Sequence, residues 1–220
     1  MNGRLRCVLL GAGGHAKVII EALRGRHPEI DLCVLRARGG AGGSELMGVP
    51  VVGDDGDLAR LLADGVRFFA VGLGAVGDNR PRAVLFRLAS EHGLQALSVQ
   101  HPSAIVSPSA TLAAGCQVLA GAVVGTDAQL GANVIVNSRA VVEHDCRIGD
   151  HAHVASGAVL AGGVTVGAAA HVGAGAVVKQ GLRIGTGSIV GAGAAVVDDV
   201  ADGQTVVGVP ARPIQKKGGR

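Results

Sequence analysis

Residues 118–160 read VLAGAVVGTDAQLGANVIVNSRAVVEHDCRIGDHAHVASGAVL, and a ruler of six laid along them decides the fold. Val118, Val124, Leu130, Val136, Val142, Ile148, Val154 and Leu160 stand six apart. The register runs back through Leu112 to Val106. It runs forward through Val166, Val172, Val178, Ile184 and Val190 to Val196, giving sixteen positions, all aliphatic. Four residues after each comes a small or β-branched residue, as in Ala110, Cys116, Ala122, Ala128, Val134, Ala140, Cys146 and Ala152; only Leu182 in that column is bulky. A hexapeptide period is that of a parallel β-helix. Each unit supplies a short strand and a turn, and three units close a triangular coil of about eighteen residues. The aliphatic residue points into the prism and the small one fits beside it, which makes Cys116 and Cys146 interior residues. Glycine follows the aliphatic residue at Gly125, Gly131, Gly149, Gly167, Gly173, Gly185 and Gly191, where turns are expected to need a permissive backbone.

Upstream the grammar differs. Strand signals at Arg6–Leu10, Asp31–Leu35, Val49–Val52, Arg67–Leu73 and Gln95–Val99 alternate with helical ones at Ala16–Arg24, Asp57–Ala63 and Pro81–His92. That order predicts a small α/β, Rossmann-like unit with a parallel sheet. The prolines of HPSAIVSPSA (His101–Ala110) mark the boundary, dividing the chain into 1–103 and 104–220.

Composition agrees. Hydrophobic residues make up 48%, but there are three Phe and no Trp or Tyr, so the core must be aliphatic. Glycine, 37 of 220 residues, follows no collagen pattern. A net charge of +3, with part of the excess in a C-terminal tail (Arg212, Lys216, Lys217, Arg220), gives no nucleic-acid patch. The four cysteines form no CxxC and no metal-ligand spacing. With no signal peptide and no apolar run of membrane length, a reduced, cytoplasmic protein without membrane insertion is expected.

Three constellations carry chemistry. His144 lies two places after the inward Val142, so it points outward, and Glu143 and Asp145 flank it. A histidine near its ordinary pKa of about 6.5 is a suitable general base. Gly162, eighteen residues on, should stack beside it. His153 and His171 share one column, but no third ligand stands at matching spacing, so no metal is expected. GAGGHA (Gly11–Ala16) is a strand-to-helix glycine turn whose N–H groups suit a pyrophosphate. Dinucleotide binding needs an acid ending the second strand; Arg36 and Arg38 stand there instead.

The unbroken hexads, the closing Val206–Arg212, the segment Asn137–Val154, the opening LLGAGGHAKVI (Leu9–Ile19) and the GDN at Gly77–Asn79 together resemble one family. It is the bacterial sialic-acid O-acetyltransferase and nucleotide-aminosugar N-acetyltransferase group of hexapeptide acyltransferases, and the likeness covers nearly the whole chain. The resemblance implies a left-handed coil, a homotrimer, and acetyl transfer from acetyl-CoA to the amino group of a nucleotide-linked sugar for bacterial surface glycans. It implies His144 as base, Asp145 as the acid that hydrogen-bonds it, and Gly162 N–H as oxyanion donor. Asn137 and His153 would face the acceptor, His153 across a subunit interface, while His171 is expected at the surface. Gly11, Gly13, Gly14 and His15 would hold the nucleotide phosphates. Gly162, Gly173, Gly191, Ala192 and Gly193 would line acetyl-CoA, with Lys179, Arg183 and Arg212 near its phosphates. Relatives often carry Asp near Arg36–Arg38, so the nucleotide and the sugar stay open. The alternatives are O-acetylation of a sialic acid or other sugar, a non-catalytic nucleotide-binding scaffold, and a hexapeptide nucleotidyltransferase.

Overall fold

The structure, a computed structural model, describes residues 5–37, 39–40 and 42–214; Arg38, Lys216, Lys217 and Arg220 lie outside them. The chain divides into two compact units, Met1–Gly74 with Pro81–Pro102, and Ala75–Arg80 with Ser103–Arg220.

The first unit holds strands Arg6–Leu10 (β1), Asp31–Arg36 (β2), Glu45–Leu46 (β3), Val49–Asp54 (β4), Phe68–Val71 (β5) and Gln95–Ala96 (β6). They form one sheet in the order β3-β4-β2-β1-β5-β6, parallel throughout except for the antiparallel β3–β4 pair. Its helices are Gly14–Arg26 (α1), Leu58–Ala63 (α2) and Arg80–Glu91 (α3). α1 buries Ala16, Ile19, Ile20 and Leu23, the spacing of one helical face. Val8, Leu10, Leu35, Leu58 and Phe69 fill the core, where Phe69 meets Phe86 edge to face at 5.3 Å. Two expectations change. The two-residue β3 lacks a periodic signal and was not anticipated, and the strand expected over Gln95–Val99 pairs with β5 only through Gln95 and Ala96.

In the second unit residue i pairs with i+18 in parallel register, so Gln117 meets Ile135, which meets His153, then His171, then Ile189. The hexad aliphatics from Val118 to Val196, with Val200 and Val206 beyond them, form one continuous interior stack with the alanines and with Cys116 and Cys146. Burial pushes the Cys116 thiol up to about 11 and raises that of Cys146, as befits packing residues.

The expected reason for the recurrent glycines is wrong. The left-handed backbone falls three places after the aliphatic, at Asp127, Asn133, Arg139, Asp145, His151 and Ala169 (φ +55° to +60°) and at Gly121, Gly157, Gly163 and Gly187. The glycine directly after the aliphatic is required by close approach of the next coil instead. A Cβ on Gly149 would sit 2.6 Å from the Ala168 nitrogen, and one on Gly173 2.6 Å from the Ala192 nitrogen.

The outward residues give the three faces different characters. One face carries Thr111, Gln129, Arg147, Thr165 and Arg183. A second carries β-branched apolar residues, Ile105, Val123, Val141, Val159 and Val177, of which Ile105 is 65% and Val177 49% exposed. On the third, Gln117, Ile135, His153 and His171 are buried. Residues 75–80 strap this third face. Asn79, 1% exposed, donates to the carbonyls of Ala169 (3.2 Å) and Ala170 (2.9 Å). Among the described residues no helix is long and apolar enough to cross a membrane.

Candidate active site

His144 sits at a corner of the prism, exposed, on the turn that follows the inward Val142. The left-handed conformation of Asp145 (φ +59°) folds its carboxylate back on its neighbour, where Oδ2 accepts from His144 Nδ1 at 2.7 Å. That hydrogen bond, with the negative charges of Asp145 and Glu143, holds the imidazole above its ordinary pKa against a smaller desolvation effect. Nε2, the second ring nitrogen, has no hydrogen-bond partner among the described residues.

The coil repeat puts Gly162 directly against that ring. A Cβ there would fall 2.5 Å from His144 Cε1 and Nε2, so only glycine leaves the imidazole its place. Gly163 N–H donates to the His144 carbonyl at 2.9 Å, locking the two corners together. The Gly162 N–H makes no hydrogen bond among the described residues. Imidazole, carboxylate and unpaired backbone N–H are thus brought together at one corner.

Asn137 and His153 also meet: the Asn137 amide donates to His153 Nε2 at 3.0 Å, and His153 Nδ1–H donates to the Ala75 carbonyl at 3.1 Å. His153 is 4% exposed, so within one chain it holds Asn137 and the strap rather than presenting a free nitrogen. His171 is not at the surface as expected. It is 6% exposed, packs edge to face against His153 at 5.0 Å, and burial lowers its pKa. Hexad spacing places both rings on an outward column but carries no sign that residues 75–80 cover it. The GDN at Gly77–Asn79 was the available signal, through Asn79.

The glycine turn of the first unit divides by role. Gly11 (φ +112°) is structural, since a Cβ would lie 3.2 Å from the Gly72 carbonyl carbon. Gly13 and Gly14 have nothing within 4 Å of the Cβ position, so the backbone at the α1 N-terminus is open to a ligand. His15 packs close to Gly74.

A family profile described as PglD N-terminal domain matches residues 6–88, and one described as bacterial transferase hexapeptide (six repeats) matches 127–162. Perosamine N-acetyltransferase from Caulobacter crescentus, solved as a histidine-to-asparagine variant with CoA and GDP-perosamine, is 42% identical, with 98% of this chain and 99% of that chain covered and a TM-score of 0.89. The acetyltransferase domain of PglB from Neisseria gonorrhoeae, solved with acetyl coenzyme A, is 35% identical over 96% of this chain and 100% of that one, with a TM-score of 0.88. The chain belongs to the nucleotide-aminosugar N-acetyltransferase family of hexapeptide acyltransferases. No curated protein matches it by sequence.

Membership in this acetyltransferase family makes the coil left-handed, against the usual right-handed crossover of parallel strands. The late-coil residues expected to line acetyl-CoA divide between exposed backbone and packing. Ala192 and Gly193 are exposed at a corner, and the Ala192 N–H makes no hydrogen bond among the described residues. Gly173 and Gly191 are fixed by packing against Ala192 and Val207. Of the cations expected near phosphates, Arg183 is held by Asp202 at 2.7 Å and Arg212 by Asp198 at 3.3 Å, while Lys179 is exposed.

Proposed function

We propose that the protein moves the acetyl group of acetyl-CoA onto the amino group of a nucleotide-linked amino sugar, with His144 as general base. The observation that carries this is the Asp145–His144–Gly162 corner: an oriented imidazole with one nitrogen free, beside an unpaired backbone N–H. His144 Nε2 accepts the proton as the sugar nitrogen attacks the thioester carbonyl carbon. Gly162 N–H faces the oxygen on which negative charge develops. The C–S bond breaks, and the proton held by His144 passes to the departing thiolate, leaving amide and CoA. Asn137 orients the acceptor, and the Gly13–Gly14 backbone holds its diphosphate. The relatives support the reading, one having been solved with CoA and GDP-perosamine and the other with acetyl coenzyme A.

The active form is proposed to be a homotrimer in the cytoplasm. The apolar column Ile105–Val177 supports the first point and the four free cysteines the second. Thiol release from acetyl-CoA, screened with GDP-, UDP- and dTDP-linked 4-amino sugars, tests the reaction. At least one should support turnover, and His144→Ala should cut kcat about 10²–10⁴-fold with the fold intact. Turnover with free sugars alone, or an unchanged kcat in the variant, would refute it.

A further inference from the structure

A cavity of about 380 Å³ opens beside the glycine turn, with Gly13, Gly14, Lys17, Arg36, Glu45 and Leu46 among the residues that line it. That volume lies within the roughly 300–1,000 Å³ range of small-molecule sites. Gly13 and Gly14 stand at one side, where the α1 N-terminus and Lys17 favour a diphosphate. The end of β2 and the start of β3 form the other, which brings Arg36 and Glu45 to the side of the cavity away from the glycine turn.

Arg36 is occupied with the loop. Its guanidinium donates to the carbonyls of Gly40 (3.3 Å), Gly42 (3.0 Å) and Gly43, so it shapes a wall from glycines that lack side chains to do so. Glu45 is exposed and lines the same cavity. A carboxylate is acceptor-only, with two oxygens side by side. Among the bases, guanine alone offers two adjacent donors, N1–H and the 2-amino group. Uracil and thymine offer one N–H between two carbonyls, which a carboxylate repels, and adenine and cytosine pair a donor with a ring acceptor.

We propose that Glu45 is a specificity-determining residue that reads guanine, so that the acceptor is a GDP-linked amino sugar. This rests on the nucleotide-sugar reading above and narrows it to one nucleotide. The two charge-assisted hydrogen bonds form only with guanine, and any other base leaves the carboxylate desolvated without a full set of donors.

Calorimetry of the full chain with GDP, inosine diphosphate and UDP tests this. GDP should bind about tenfold or more tightly than inosine diphosphate, which lacks only the 2-amino group, and than UDP. Glu45→Gln should weaken GDP about tenfold and narrow the gap to inosine diphosphate. It should also tighten UDP, because an amide can accept from the uracil N–H and donate to its carbonyl. The comparison of GDP with inosine diphosphate needs no variant and stands even if Glu45→Gln folds poorly. Equal affinities for the three nucleotides, or unchanged preferences in Glu45→Gln, would overturn the assignment of Glu45 and leave the acceptor class standing. Failure of all three to bind would remove both.

Discussion

Asp145 combines a backbone role with a chemical one. Its left-handed φ carries its carboxylate to His144, and that contact raises the imidazole pKa. A general base works unprotonated, so kcat/KM should fall as pH drops through the raised value. Asp145→Asn removes the charge but keeps a side chain that tolerates left-handed backbone, unlike alanine, so the corner should persist. The acidic limb of the kcat/KM profile should then move to lower pH, with a smaller loss of plateau rate than in His144→Ala. A limb that stays in place would show that Asp145 does not tune the base. That His144 stands outward with Asp145 beside it is legible from the EHD that directly follows the inward Val142. The contact with Gly162 follows from eighteen-residue arithmetic. The burial of His153 and His171 is not legible, because it depends on a segment more than seventy residues upstream.

Among elements, the hexad coil was readable almost throughout, because a six-residue period fixes inside and outside for sixteen units at once. The glycine assignments were not, since one-dimensional spacing does not separate a residue that needs a positive φ from one that lacks room for a Cβ. The two classes are separable by experiment. Gly149→Ala would drive a methyl group against the backbone of the next coil and should destabilise the protein by about 1–3 kcal/mol. Gly187 (φ +61°) has open space around it, and Gly187→Ala should cost only about 1 kcal/mol, the left-handed penalty partly offset by a stiffer unfolded chain. Chemical denaturation midpoints should rank the two variants in that order. The α/β unit was legible through its longer strands, and its misses, β3 and the shortened β6, are two-residue pairings below any periodic signal.

For the whole molecule, the three faces of the prism make different demands on solvent. The polar face needs no cover and the third has its strap, but the column Ile105, Val123, Val141, Val159 and Val177 exposes apolar surface along its length. Three copies packed about an axis would bury it. Light scattering should therefore give about three times the 21.7 kDa chain mass. Val159→Glu, which puts a charge in the middle of that column, should shift the mass towards monomer and lower activity together. A fully active monomer would refute the trimer. The strap bears on how proteins of this kind can be recombined. A breakpoint after residue 102 would transplant a coil while leaving Ala75–Arg80 with the other parent, uncovering two histidines and stripping Asn79 from its carbonyls. The coil is a module interrupted in the gene, and a working chimera must inherit residues 75–80 and 103–214 from the same ancestor.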